Sequence, residues 1–297
     1  LGSPAGPHDG TSAVAQAVDG FVGNGQMAVV SAGNDGSSGM HYQGTLASGG
    51  SASFNFAVGS YTPRSGAGND DADFDIWFSS SDSASVTVTS PNGYSHTVPV
   101  DSASTQTTDD GAIFLSNQVS GLNNDRHIEI SVFDLDANKT PASGTWTVTF
   151  TDTGVTGGSD TFHSWFYDRN IGTNTADSPV RISGNEVSAA PQVFAANYTQ
   201  GGDSRYTIGT PGTAKGALTV GAWTHRWRWQ DFLGRSFFWP AESTGDIASF
   251  SSVGPLRDGT LKPEITAPGR LMASARSGDD PINTASVKPT GVVSPRV

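Results

Sequence analysis

Val29-Val30-Ser31-Ala32-Gly33-Asn34-Asp35-Gly36 is a short apolar run that stops at a polar turn flanked by glycine. An uninterrupted run of this kind reads as a strand buried on both faces, as in a parallel sheet. Upstream, Val14, Ala17, Val18 and Phe21 fall at i, i+3, i+4 and i+7, so they share one helical face. Thr11 or Ser12 can cap that helix, and Gly23 or Gly25 can end it. Helix, Gly-Asn-Gly link and a strand over Met27 to Ala32 make half of an α/β repeat. The turn itself can hold the Asn34 amide still, and a fixed donor aimed at developing negative charge is a large term in acyl transfer.

Downstream the pattern changes from an unbroken run to alternation. Phe54 to Val58, Phe74 to Phe78, Ser85 to Thr89, His127 to Val132 and Thr145 to Phe150 alternate with period two. Turns such as Ser90-Pro91-Asn92-Gly93 separate them, with Pro presetting φ and Gly accepting positive φ. Many short alternating strands predict an antiparallel sandwich over 48–169. After Asn170 the sequence predicts a short helix near Ala189 to Ala196. Buried strands are expected over Ala217 to Ala222, Ile247 to Ser252 and Lys262 to Gly269, the last ended by Pro268-Gly269. The expected fold class is therefore an α/β domain with a parallel sheet, built from 1–47 and 170–297 and interrupted by an all-β sandwich insert over 48–169. Insertion succeeds at exposed loop tips, and the loop after Asn34 is one.

Sixteen basic against 28 acidic residues give a formal charge of −12, which argues against a nucleic-acid partner. No apolar run approaches the roughly 18 residues needed to span a membrane. The absence of cysteine permits an extracellular protein, and 37 glycines with few charged residues suit a loop-rich exported chain. The opening Leu-Gly-Ser-Pro reads like the middle of a domain, so a processed or excised piece of something longer is expected.

Several stretches together resemble the subtilisin-like serine peptidases, the subtilases. They are Leu1-Gly2 followed by a helix, Ser31 to Gly36, Gly209-Thr210-Pro211-Gly212-Thr213-Ala214-Lys215 leading into Leu218 to Ala222, Phe250-Ser251-Ser252-Val253-Gly254-Pro255, and Lys262 to Gly269. Their order is the family's order, and the ordered set covers roughly 1–45 and 205–275. By this resemblance Asn34 matches the oxyanion-hole asparagine. Leu1 and Gly2 match the edge strand on which extended substrate pairs, and Ala32 and Gly33 the strand that walls the primary specificity pocket. The resemblance implies a secreted serine endopeptidase acting on peptide or protein substrates, with the remainder of the catalytic domain as a further partner.

The family's triad motifs are missing. No Asp-Thr/Ser-Gly, His-Gly-Thr or Gly-Thr-Ser-x-Ala-x-Pro occurs in the sequence. Gly10-Thr11-Ser12 begins like the nucleophile motif but lacks its continuation, and Ser12 is better used as a helix cap. His8-Asp9 reads as a solvated loop pair. Without a triad, hydrolysis by this piece alone is not expected, because the triad acts as a unit. The rival reading is a non-catalytic, subtilase-derived protein whose sandwich binds a protein or glycan.

Asp70, Asp71, Asp73 and Asp75 cluster beside Phe74, and Asp134 and Asp136 lie in another loop. Hard oxygen ligands suit calcium rather than zinc; a structural calcium site and an ordinary acidic loop both fit, and no organic cofactor is expected. The sandwich resembles the jelly-roll P-domain type through Gly144 to Val148 and Trp165, which makes Trp146 and Trp165 core residues. Trp223 to Trp239, with Arg226, Arg228 and Arg235, reads as a long hairpin packed on the catalytic domain or on the sandwich, with a substrate-binding lip as the alternative. Thr210-Pro211 is a candidate cis peptide.

Overall fold

The computed structural model describes residues 2–23, 25–136, 138–171, 180–182, 186–188, 196–230, 236–238 and 242–270. In chain order the elements begin with α1 (Ala13–Phe21), β1 (Val29–Ser31), β2 (His41–Ala47), β3 (Ser51–Val58), β4 (Asp71–Phe78), β5 (Ser83–Thr89) and β6 (Ser95–Val98). There follow β7 (Ser102–Thr108), β8 (Gly111–Val119), β9 (Arg126–Phe133), β10 (Gly144–Gly154), β11 (Ser159–Asn170), β12 (Val180–Ile182), β13 (Glu186–Ser188) and β14 (Ala196–Tyr198). The last are β15 (Leu218–Thr224), β16 (Arg228–Gln230), β17 (Ser236–Phe238) and β18 (Ile265–Arg270).

Most of this is two antiparallel sheets, one with strand order β14-β3-β10-β5-β6 and the other β2-β11-β4-β9-β8-β7. The alternation seen in the sequence is the cause. β5 buries every second residue, and Phe54, Phe56 and Val58 of β3 turn inward while Ser53 and Asn55 turn out. Between the sheets lie Phe54, Phe56, Phe74, Phe78, Phe150, Phe162 and Phe166, all buried, with Trp146 stacked on Phe56. Each such ring contributes about 1.5–3 kcal/mol when fully buried, so this is where the chain's hydrophobic stabilisation is concentrated. Trp146 Nε1 donates to Ala142 O at 3.0 Å, which satisfies its polar edge inside the core.

The α/β class expected from the sequence is overturned. Among the described residues there is one helix, of nine residues, and the strands are overwhelmingly antiparallel. What remains parallel is a three-stranded sheet of order β1-β15-β18. The overestimate has a physical origin: the first helix and strand do form, as α1 and β1, but of the later strands expected for the parallel sheet only β15 and β18 join it. Ile247 to Ser252 is not a strand but a bridge at Ile247 followed by turns. The helix expected near Ala189 to Ala196 falls on 189–195, outside the described residues, and Ala196 itself opens β14.

Around the small sheet, α1 packs Ala15 and Val18 against Ala28, Val30, Ala214 and Ala217. Ser12 caps it, its hydroxyl accepting from Ala15 N at 3.2 Å. The opposite face is not buried as the sequence predicts: Val29 is 56% exposed and Ile265 47%, and the register puts both on one side with Leu218 and Val220. Whether an apolar strand is covered depends on what packs over it, which the run of residues does not encode.

Candidate active site

The turn after β1 is fixed by backbone and hydroxyl bonds to a segment more than two hundred residues away. Ala32 N donates to Val220 O at 2.9 Å, which ends the pairing of β1 with β15. Beyond it Ser252 N donates to Gly33 O at 3.1 Å, Asp35 N to Ser252 Oγ at 3.0 Å, and Gly36 N to Phe250 O at 3.0 Å. Gly33 has φ +117, and a Cβ there would stand 2.6 Å from Ser252 Oγ. A Cβ on Gly36 would collide with the Ser251 carbonyl. Only glycine permits so close an approach at both positions. Between them, Asn34 is exposed. It sits beyond the carboxyl end of a parallel strand, where open parallel sheets hold their ligands.

The remaining candidate residues converge through one segment. Gly209 N donates to Ala32 O at 3.1 Å, while Ser3 and Thr210 exchange two backbone hydrogen bonds of 2.9 Å. Residues 208–210 thus lie between Ala32 on one side and Gly2-Ser3 on the other. Gly2 is exposed, and a Cβ on it would meet Thr210 O at 3.0 Å. The Ala32 methyl is buried with Ile208 and Leu256. Leu1 lies outside the described residues. Thr210-Pro211 is cis, as are Gly254-Pro255 and Lys262-Pro263.

The four aspartates do not converge on one point. Asp75 is buried and its carboxylate is committed to Gly6 N (2.5 Å), Trp77 Nε1 (2.9 Å) and His127 (2.5 Å). Asp70 accepts from Arg64 N at 2.8 Å, just before β4, while Asp71 and Asp73 lie on β4 itself. Among the described residues no three His, Asp or Glu side chains are grouped so as to hold a metal ion. The residues do not fit a calcium site at Asp70, Asp71, Asp73 and Asp75 together.

His8 and Asp9, expected to be solvated, are 2% and 7% exposed. His8 stacks on Trp165 with ring centroids 3.9 Å apart. Asp9 takes the Thr11 amide at 2.9 Å, Asn123 at 2.7 Å and Arg257 at 3.1 Å. Arg257 also donates to Pro7 O, Phe78 O and Asp125, so one guanidinium ties the segment before α1 to the sandwich. No local pattern announces this junction, because its partners lie far apart in sequence.

With this geometry in view, residues 150–292 match the subtilase family model, Peptidase S8. The chain is subtilase-like. The matched range takes in the motifs at Gly209, Phe250 and Lys262, while the Asn34 turn lies upstream of it. The fold is similar to that of the CspB protease of Clostridium perfringens, with a TM-score of 0.64 at 20% identity, covering 94% of this chain and 49% of that one. The uncharacterized protein aq_aa18 of Aquifex aeolicus (strain VF5) is 40% identical over 76 residues, 26% of this subtilase-like chain and 31% of that protein. The chain thus spans about half the length of the similar structure, and its match covers less than a third of the curated relative.

Proposed function

We propose that this subtilase-like chain contributes part of the peptide-hydrolysing centre of a secreted serine endopeptidase, with Asn34 as an oxyanion donor. The observation that carries the reading is the immobilised turn: three bonds to Phe250 and Ser252 hold Gly33 to Gly36 while the Asn34 side chain stays exposed beyond the end of β1. A backbone so held keeps the base of the Asn34 side chain in place when negative charge develops on the carbonyl oxygen of a peptide under attack. Leu1 and Gly2 would receive extended substrate backbone, the pairing of Ser3 with Thr210 fixing that edge. Gly33 would form part of the pocket wall. The sequence holds none of the three triad motifs, so the proton transfers and the nucleophile would come from outside residues 1–297.

The test begins with the complete reading frame, in which a Gly-Thr-Ser-x-Ala-x-Pro motif and an Asp/His pair are expected. In the active protein, Asn34→Ala should lower kcat by about a hundred- to a thousandfold and leave KM nearly unchanged, since the contact exists only in the transition state. That magnitude belongs to a subtilisin itself and is carried over. A raised KM with kcat intact would overturn the role.

A further inference from the structure

Three of the six histidines, His8, His41 and His163, meet in one buried cluster where the sandwich faces the rest of the chain. His41 opens β2 and His163 lies on the neighbouring β11. The wiring of this pair follows from what each partner can accept. Asp203 Oδ1 stands 2.8 Å from His41 Nδ1, and a carboxylate only accepts, so Nδ1 carries the hydrogen. Neutral His41 then presents a lone pair at Nε2. His163 Nδ1, 2.9 Å away, must donate to it. The resting chain runs from His163 to His41 to Asp203, with every hydrogen pointing toward the carboxylate.

A first added proton fits. The proton adds at His163 Nε2 while the Nδ1 hydrogen of His163 passes to His41 Nε2, so His41 becomes the imidazolium and donates at both ends, and His163 stays neutral with its one hydrogen now on Nε2. A second proton does not fit, because it sets two N–H groups against each other at 2.9 Å and two cations side by side. The surroundings offer little compensation. Asp203 is the facing carboxylate, with Asp75 more remote; Arg205 and Arg257 add positive charge, and Tyr206 packs its ring on both imidazoles. His8 behaves differently. Its two nitrogens face carbonyls, Ile208 O at 3.1 Å and Pro4 O at 2.6 Å, so protonation gives it a second hydrogen bond rather than removing one.

We infer that the His41–His163 pair is an acid-operated latch, which holds the sandwich on the segment 203–208 and lets go of it when the second proton arrives. The contacts that would part are on the page. Asp203 N donates to His41 O at 2.7 Å, His41 N to Asp203 O at 3.4 Å, and Trp165 Nε1 to Tyr206 O at 2.9 Å. Tyr206 packs on the apolar cluster of Met40, Trp77 and Trp165. The freed segment runs directly into residues 208–210, which lie between Ala32 and Ser3. Burial holds all three imidazoles uncharged at neutral pH, keeping His163 down to about 3 and His8 to about 4. An opened latch takes up protons near the ordinary histidine value of 6.5. Each such proton therefore favours opening by up to about tenfold per pH unit below that value.

Hydrogen exchange on the intact chain at pH 7.5 and pH 5, corrected for the intrinsic pH dependence of exchange, tests this. Protection at the amides of Asp203 and His41, which bond each other's carbonyls, should fall at least tenfold, while the β3–β10 ladder around Phe56 keeps its protection. Unchanged junction amides would overturn the latch, and so would simultaneous loss in both regions, which is plain acid unfolding. His163→Gln can still donate to His41 Nε2 but cannot titrate, so the pH dependence at Asp203 should flatten by about tenfold per unit. A variant that is folded and retains the full pH dependence overturns the assignment to this pair. Should that variant fail to fold, nitrogen NMR of the unmodified protein decides: hydrogens on Nδ1 of both His41 and His163 at pH 7.5 are expected, and a hydrogen on His41 Nε2 refutes the wiring.

Discussion

Gly33 and Gly36 do more for the candidate site than any residue beside Asn34, because each admits a neighbour where a side chain would stand. Gly33 combines a positive φ with a 2.6 Å approach to Ser252 Oγ. Gly36 faces backbone, the Ser251 carbonyl, which cannot swing aside as a side chain can. Gly36→Ala is therefore expected to destabilise by about 1–3 kcal/mol, as overpacking does, and to displace the turn that carries Asn34. Urea unfolding reads the first effect, and kcat in an active context reads the second. A variant of unchanged stability would mean that the turn yields more easily than its contacts suggest. The turn was legible in the sequence because glycine marks it. That Ser252 holds it was not, since the two are 217 residues apart along the chain from Asp35.

Elements divide the same way. Strands whose alternation is local, such as β5 and β10, were readable, and the structure places Trp146 and the phenylalanines in the core the pattern implied. β1 was readable as a strand but not in its burial, and α1 was readable together with its Ser12 cap. The junction between elements left no trace in the pattern. Arg257 there spends Nε on Pro7 O (2.8 Å), Nη1 on Phe78 O (2.7 Å) and Nη2 on Asp9 and Asp125, with its side chain 4% exposed. Removing it leaves the largely buried carboxylates of Asp9 and Asp125 with their neutral donors but without a counter-ion. Arg257→Ala should cost about 3–5 kcal/mol, and Arg257→Lys should recover little, because a point charge cannot replace a planar fork serving three directions. Thermal unfolding of the two variants checks this, and a lysine variant matching the native protein would show that only the charge matters.

At the scale of the whole molecule, the buried imidazoles set how stability depends on pH. His8 and His163 have folded values of about 4 and about 3, below the ordinary 6.5. Burial is the largest cause in both. Below pH 6.5 the unfolded chain binds protons that the folded chain refuses, so stability falls as pH falls. Each group contributes a slope of up to about 1.4 kcal/mol per pH unit until its folded value is reached. Asp203 acts in a lower window. Burial works to raise it, but the bonds from His41 and Arg205 outweigh that and hold it at about 2, so its stabilisation is present above pH 3.8 and is lost only below. Between pH 6.5 and 4 the two histidines therefore act alone, and Asp203 adds a loss of the same sign only at lower pH. The urea midpoint is expected to fall steadily from pH 7 to pH 5, a range in which ordinary carboxylates stay ionised. His8→Gln should reduce the slope by up to about 1.4 kcal/mol per pH unit, which is one proton's worth. A midpoint flat across that range would mean that the imidazoles already carry charge in the folded state, and the two carbonyls facing His8 are the groups that would hold it.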